Sequence, residues 1–150
     1  HSANPKGIKD IAAQQFEYGK KIYDAGFIPI LEPEVNIKSE DKFESEKILK
    51  EEILKLLQEL DDEKYIFKLS IPSQADFYQD IIEHPNVVRV VALSGGYSQE
   101  AAVNKLSENH NMIASFSRAL LQDLDVDQSK EEFNNTLKDA VIKIYNASIT

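Results

Sequence analysis

The sequence predicts an α/β fold built around a parallel sheet, and two observations lead to this prediction. Four short runs rich in β-branched and aromatic residues alternate with segments whose apolar residues recur every three or four positions. These runs are apolar on both faces instead of alternating with polar residues, which is typical of parallel strands joined by helices. With 150 residues and no Pro-, Gly- or Ser-rich linker, the chain is expected to form one domain.

The first half of the chain predicts two helices and two strands. Apolar residues at helical spacing predict a helix over 8–25, and the continuous apolar run 27–32 predicts the first strand. Ser39 is expected to open the second helix, and the acidic segment 40–63 is interpreted as a solvated helix face. The run 65–71 predicts the second strand.

The second half continues the same alternation of strands and helices. A short helix precedes the predicted strand 86–93, and the next helix is expected to extend from Ser98 to near residue 108. The run 112–116 predicts the last strand. Ser129, with Glu132 three residues later, has the pattern of a capping box and predicts the start of the final helix.

Composition excludes several classes of protein. Lys and Arg number 17 and Asp and Glu number 26, so the net charge is 17 − 26 = −9, which argues against a nucleic-acid-binding protein. No apolar stretch approaches the ~20 residues that a membrane-spanning helix needs. The sequence has no cysteine, which fits a reducing compartment, and we expect a cytoplasmic protein.

Lys68 is the most informative single residue, because it is charged and lies in an apolar predicted strand. Burial without a partner would lower the pKa of its amine, and a neutral lysine can form a Schiff base with a ketone or aldehyde. The alternative is a lysine whose amine reaches solvent or pairs with a carboxylate.

Glu32 and Glu34 follow the first predicted strand. The two-residue period of a strand places both side chains on one face, where carboxylates can transfer protons and hold an amine in place. The alternative interpretation is a solvated acidic loop.

A third group of polar residues follows the last two predicted strands. The glycines of Ser94-Gly95-Gly96 allow close approach of the backbone to a phosphate, and Arg118, close after Ser115, can bind a phosphate in bidentate fashion. An ordinary tight turn is the alternative for Ser94-Gly95-Gly96. Because strand ends in parallel α/β folds carry the site, these groups together indicate an imine-forming enzyme acting on a phosphorylated sugar.

Four stretches of the sequence resemble the C-terminal half of class I fructose-bisphosphate aldolases of the bacterial branch. The stretches are 29–35, 67–69, 93–98 and 115–120. They occur in the order of that family and at similar spacings, and the resemblance covers nearly the whole chain. It implies a (β/α)8 TIM barrel, to which residues 1–150 contribute roughly strands five to eight as the C-terminal half of one domain.

The resemblance also implies roles for individual residues. Lys68 matches the Schiff-base lysine, Glu32 the carboxylate that assists proton transfer during dehydration of the carbinolamine, and Glu34 a second glutamate near the amines of the site. Ser94, Gly95 and Arg118 match positions that bind the phosphate of the dihydroxyacetone-phosphate part of the substrate. Ser115 matches a neighbouring polar position.

Two residues depart from the animal members of the family. Ser117 stands where those members have Gly, and the chain ends at Thr150 without their C-terminal tyrosine. A different group is therefore expected to shuttle the proton that the tyrosine handles.

The resemblance implies a glycolytic lyase that cleaves fructose 1,6-bisphosphate without a metal or organic cofactor. The first four strands of the barrel have no counterpart here, so we expect the isolated chain to be inactive without an N-terminal half, supplied by the same protein or a separate chain. Pairing of two such halves into a homo-oligomer is the alternative. Two alternatives stay open: another imine-forming barrel enzyme, such as a transaldolase-like one, and a non-catalytic half-barrel interaction module.

Overall fold

A computed structural model describes residues 3–150 of the chain. Helices and strands alternate along it until β4, after which two helices follow in succession. The elements are α1 Pro5–Asp24, β1 Ile30–Leu31, α2 Lys42–Leu57, β2 Tyr65–Ser70, α3 Gln79–Ile82, β3 Val87–Leu93, α4 Gln99–Ser107, β4 Met112–Ala114, α5 Arg118–Leu121 and α6 Lys130–Asn146.

The four strands form one parallel sheet in the order β1-β2-β3-β4, which confirms the predicted parallel α/β fold. Leu31 pairs with Phe67, and Lys68 pairs with Val91, so neighbouring strands end at the same edge of the sheet. Parallel strands require crossover connections, and the helical segments between the strands provide them. The C-terminal ends of all four strands therefore lie side by side.

Only one face of the sheet is covered by the helices. Phe67 and Leu69 point to that face and have no exposed surface, whereas Ile30, on the other side, is 52% exposed. Aromatic packing of Phe16 from α1 against Phe67 extends this core. On the other face of β2, Ile66 and Lys68 are half-buried.

The ladder between β1 and β2 is shorter than the apolar run 27–32 predicted. It comprises Ile30 and Leu31, while Phe27 is 68% exposed. Pro33 follows and lacks the N–H that would continue the ladder. Strand propensity alone does not reveal where pairing stops.

Helix α2 begins at Lys42, after Asp41, and not at Ser39. Ser39 instead lies in a turn, in which its N–H donates to the carbonyl of Asn36 and its own carbonyl accepts from the N–H of Lys42. The predicted caps Ser98 and Ser129 are confirmed, and Ser129 forms the full capping box with Glu132.

The interpretation of segment 40–63 as a solvated face is wrong at Glu46. This side chain is fully buried and forms an ion pair with Lys42, one turn earlier on α2. Lys42 Nζ also donates to Ile71 O over 2.8 Å, and Glu46 Oε2 accepts from Ser73 N over 3.1 Å. The pair thus holds the segment that follows β2, and its charges are compensated by hydrogen bonds to that segment.

None of the helices in residues 3–150 has the length and hydropathy that a membrane crossing requires.

Candidate active site

The C-terminal ends of the strands border an open cleft of about 370 Å³. Seven of the eight residues proposed from the sequence line it, and Gly96 does not. The seven are Glu32, Glu34, Lys68, Ser94, Gly95, Ser115 and Arg118. A cleft at this edge of a parallel sheet is where ligands bind in α/β proteins.

Lys68 and Glu32 form the central ion pair of the cleft. Lys68 extends from β2, Glu32 follows β1, and 2.6 Å separates Lys68 Nζ from Glu32 Oε2. The Lys68 side chain is 27% exposed, so its amine is reachable from the cleft while the stem lies along the sheet. The structure thus shows the alternative interpretation, an amine that pairs with a carboxylate, and not a buried lysine without a partner. A ligand in the cleft can still contact this amine.

Glu34 lies on the same side of the chain as Glu32 and lines the same cleft. Both glutamates are exposed and Pro33 between them is buried, which is the alternation expected of an extended segment. Two carboxylates therefore face the cleft, and Glu32 is the one in contact with the amine.

The turn after β3 requires glycine at two successive positions. Gly95 has φ +61° and Gly96 has φ +102°, and Tyr97 N donates to Ser94 O over 3.0 Å to close the turn. A Cβ atom on Gly95 would lie 2.6 Å from Ile37 Cγ2. The turn leads directly into α4, whose N-cap is Ser98, so its backbone passes close to the cleft at the start of a helix.

Arg118 is the first residue of α5, a short helix that the sequence did not predict. Its side chain is exposed and lines the cleft, as the turn after β3 also does. Gln99 joins the two elements, because its Nε2 donates to Ala119 O over 2.9 Å and its N–H donates to Gln122 Oε1 over 2.8 Å.

Gln99 is buried and sequence reasoning missed it. A glutamine at the first position of a helix is usually exposed to solvent, and nothing in the sequence indicates that Gln99 will contact α5. It nevertheless fixes the two proposed phosphate-binding elements relative to each other.

Arg89 lies on the same face of the sheet as Lys68, although counting back from Ser94 with a two-residue period would place it on the opposite face. Ile66 pairs with Arg89 and Lys68 with Val91, so Arg89 is two residues before the partner of Lys68. The alternation of side chains does not extend through Ser94, because Ser94 already lies in the turn beyond β3. Arg89 is exposed on the uncovered face.

The two described histidines are engaged away from the cleft. His110 Nδ1 lies 2.9 Å from Asp76 Oδ2, and His84 Nδ1 accepts from Asn86 N over 3.3 Å. The backbone N–H of His110, followed by its ring, holds the pKa of Asp76 below its ordinary value. Within residues 3–150, no three His, Asp or Glu side chains are grouped so as to hold a metal ion.

Sequence comparison identifies a relative with a known name. The chain is 56% identical over 149 residues to a protein of Clostridium acetobutylicum named fructose-bisphosphate aldolase class 1. The resemblance to class I fructose-bisphosphate aldolases is confirmed. The match covers 99% of this chain and 50% of the relative, so the chain spans about half the length of the curated aldolase that it matches. No family model matches the chain.

Proposed function

We propose that this chain supplies the Schiff-base half of a class I fructose-bisphosphate aldolase, a lyase of glycolysis. The observation that carries the proposal is the contact of 2.6 Å between Lys68 Nζ and Glu32 Oε2, inside a cleft that Arg118 and the glycine turn also line. An amine, a carboxylate and two phosphate-binding groups are what cleavage of a phosphorylated ketose through an imine requires.

The four parallel strands correspond in this proposal to strands five to eight of a (β/α)8 barrel. The sheet has helices on one face only, and β1 and β4 each pair with one neighbour within residues 3–150. Both features fit a barrel wall, whose outer face carries helices and whose edges close on further strands. Residues 1–150 then form the C-terminal half of one domain.

Lys68 is the nucleophile of the proposed reaction. Its neutral amine attacks the C2 ketone of fructose 1,6-bisphosphate, and loss of water from the carbinolamine gives an iminium ion. A base takes up the proton of the C4 hydroxyl, the C3–C4 bond breaks, its electrons pass to the iminium, and glyceraldehyde 3-phosphate leaves. The enamine that remains takes up a proton at C3, and water releases dihydroxyacetone phosphate. Because the iminium is the electron sink, no metal or organic cofactor is required.

Glu32 transfers the protons of imine formation. It is the carboxylate in contact with the amine, so it can accept a proton from Lys68 and donate one to the departing hydroxyl of the carbinolamine. Glu34 faces the same cleft and adds negative charge near the amine.

Arg118 and the Ser94–Gly96 turn bind a phosphate of the substrate in this proposal. The guanidinium offers a bidentate donor, and the backbone of a glycine turn that leads into α4 approaches an anion without steric hindrance. Ser115 adds a polar group on the same wall of the cleft.

Activity further requires a partner, namely the N-terminal half of the barrel, in the same protein or on a separate chain. The relative is twice as long as the match, which supports this requirement. The assembled enzyme is proposed to act in the cytoplasm, and homo-oligomers are compatible with the proposal.

Aldol cleavage is tested in the completed barrel, by which we mean the chain joined to the half of the Clostridium acetobutylicum relative that it does not match. Lys68→Ala is expected to reduce cleavage of fructose 1,6-bisphosphate to background. Lys64→Ala is the matched control, since Lys64 is also half-buried but lies before β2 and bonds Pro85 O. Cleavage unaffected by Lys68→Ala would refute the proposal. Transfer from a sugar monophosphate in place of cleavage would favour the transaldolase-like alternative.

A further inference from the structure

The segment that carries Glu32 and Glu34 is not held by the sheet ladder. The ladder of β1 ends at Leu31, and Pro33 cannot donate a backbone hydrogen bond. The segment nevertheless lies extended beside β2, with Pro33 and Val35 buried. Other groups must therefore fix its position, and side chains from two neighbouring elements do so.

Ser70 is the first of these groups. It is the last residue of β2, two positions after Lys68, and it is 1% exposed. Its Oγ accepts from Val35 N over 3.0 Å and donates to Val35 O over 2.7 Å. One hydroxyl thus satisfies both backbone groups of Val35, as a neighbouring strand would have done.

Gln15 of α1 is the second group. Its Oε1 accepts from the backbone N–H of Glu32 over 3.0 Å. Ser70 and Gln15 therefore hold the segment at both of its ends, on either side of the two carboxylates. The Glu32 side chain then contacts the amine of Lys68, and Lys68 lies on β2, the strand that also carries Ser70.

We propose that Ser70 and Gln15 are positioning residues that fix the Glu32 carboxylate against the Lys68 amine. The inference rests on the proposed function, in which Glu32 transfers protons to and from that amine. Such a transfer needs heavy atoms within roughly 2.6–3.2 Å. Displacement of the segment by about 1 Å can cost on the order of a hundredfold in rate.

The first test compares Ser70→Ala with Asn86→Ala in the completed barrel. Asn86 is a matched control, because it is also buried and its Nδ2 donates to two backbone carbonyls, over 3.0 Å to Asp61 and 2.8 Å to Glu63. It lies before β3, at the opposite end of the sheet from the cleft. Both substitutions are expected to lower the unfolding temperature.

Only Ser70→Ala is expected to lower kcat for cleavage, by roughly ten- to a hundredfold, with KM changed less than about twofold. Gln15→Met keeps the length of the side chain and removes the oxygen that accepts from Glu32 N. It is also expected to lower kcat, and it replaces Ser70→Ala in the test if Ser70→Ala does not fold. An equal loss of kcat in Asn86→Ala, or an unchanged kcat in both Ser70→Ala and Gln15→Met, would overturn the proposal.

A second measurement does not depend on aldolase activity. Acetic anhydride labelling of the full chain, followed by peptide mass mapping, gives the ratio of labelling at Lys68 to labelling at Lys64. We expect Ser70→Ala to raise this ratio, because an amine that is no longer held by its carboxylate is more accessible to the reagent once it has lost its proton. An unchanged ratio would show that Ser70 does not control the contact. Absence of cleavage in the unsubstituted protein would instead refute the proposed function.

Discussion

At the scale of single residues, the proposal distinguishes two carboxylates that the sequence leaves equivalent. Glu32 contacts Lys68 Nζ, whereas Glu34 only borders the cleft. Glu32→Gln, which keeps the shape and removes the proton transfer, is therefore expected to lower kcat of the completed barrel by roughly 10²- to 10⁴-fold. Glu34→Gln is the matched control and is expected to lose less activity. Steady-state kinetics checks this, and a larger loss at Glu34 would reverse the two assignments.

The hydrogen bonds of Asp76 lead to a prediction about how the stability of the chain depends on pH. Hydrogen bonds from His110 favour the charged carboxylate, so the pKa of Asp76 in the folded chain lies below its ordinary 3.8. A group whose folded-state pKa is lowered contributes stability in full above the unfolded-state pKa, and loses it as the pH falls through the folded-state value. Asp76→Asn should therefore destabilise the chain near neutral pH.

The difference between wild type and Asp76→Asn should then shrink as the pH falls below about 3.8, and vanish only below the lower pKa of the folded state. Asparagine tolerates the positive φ of +56° at this position, so backbone strain does not confuse the comparison. Thermal unfolding at several pH values measures it, with Asp62→Asn in an exposed loop as the control. A difference that persists unchanged into acid would contradict the assignment.

The residues of the cleft were predictable where a residue type differs from the types expected at that position in a strand or strand end. A lysine in an apolar strand, paired glutamates at a strand end and a double glycine all stand out, and seven of the eight proposed residues line one cleft. Gln15, Ser70 and Gln99 were missed. They act through backbone groups of distant segments, and a polar residue gives no sign in the sequence of which carbonyl or N–H it will meet.

At the scale of elements, the buried ion pair of α2 leads to a prediction about stability. Glu46→Gln leaves the buried Lys42 without its counter-charge, and loss of one partner of a buried ion pair costs about 3–5 kcal/mol in free energy of unfolding. Denaturant unfolding measures this. The pair Lys6–Asp10 has the same spacing on α1 but is exposed, so Asp10→Asn should have no measurable effect. Equal effects of the two substitutions would show that burial is not decisive.

The elements themselves followed from periodicity, while their limits followed from tertiary contacts. Helix α2 starts three residues after Ser39, and β1 pairs over only two residues because Pro33 interrupts the ladder. Helix α5 is four residues long, too short to show a helical period, and it is held by Gln99. Caps with a specific pattern, such as that of Ser129 and Glu132, could be placed correctly from the sequence.

At the scale of the whole molecule, the uncovered sheet face and the outer edges of β1 and β4, which pair with no further strand within residues 3–150, leave apolar groups exposed. Ile30 lies in β1 and Phe27 precedes it, while Tyr145 and Ile149 lie near β4; each of them is at least half exposed. Exposed edges and apolar surface of this kind promote association. The parallel sheet was predictable from the sequence, whereas strands that are apolar on both faces did not indicate that one face would be uncovered.

The chain alone is therefore not expected to persist as a folded, monodisperse monomer. Light scattering coupled to size-exclusion chromatography is expected to show self-association of the isolated chain, and a discrete species for the completed barrel. A folded, monodisperse monomer of 150 residues would contradict the view that this sheet is half of a barrel.

The central claim is that Lys68 forms an imine with a phosphorylated ketose. Its most direct test is borohydride reduction of the completed barrel in the presence of fructose 1,6-bisphosphate, followed by peptide mass mapping. The account predicts a reduced adduct on Lys68, which is absent when substrate is omitted and absent in Lys68→Ala. An adduct on another lysine, or no adduct in a barrel that cleaves the bisphosphate, would contradict it.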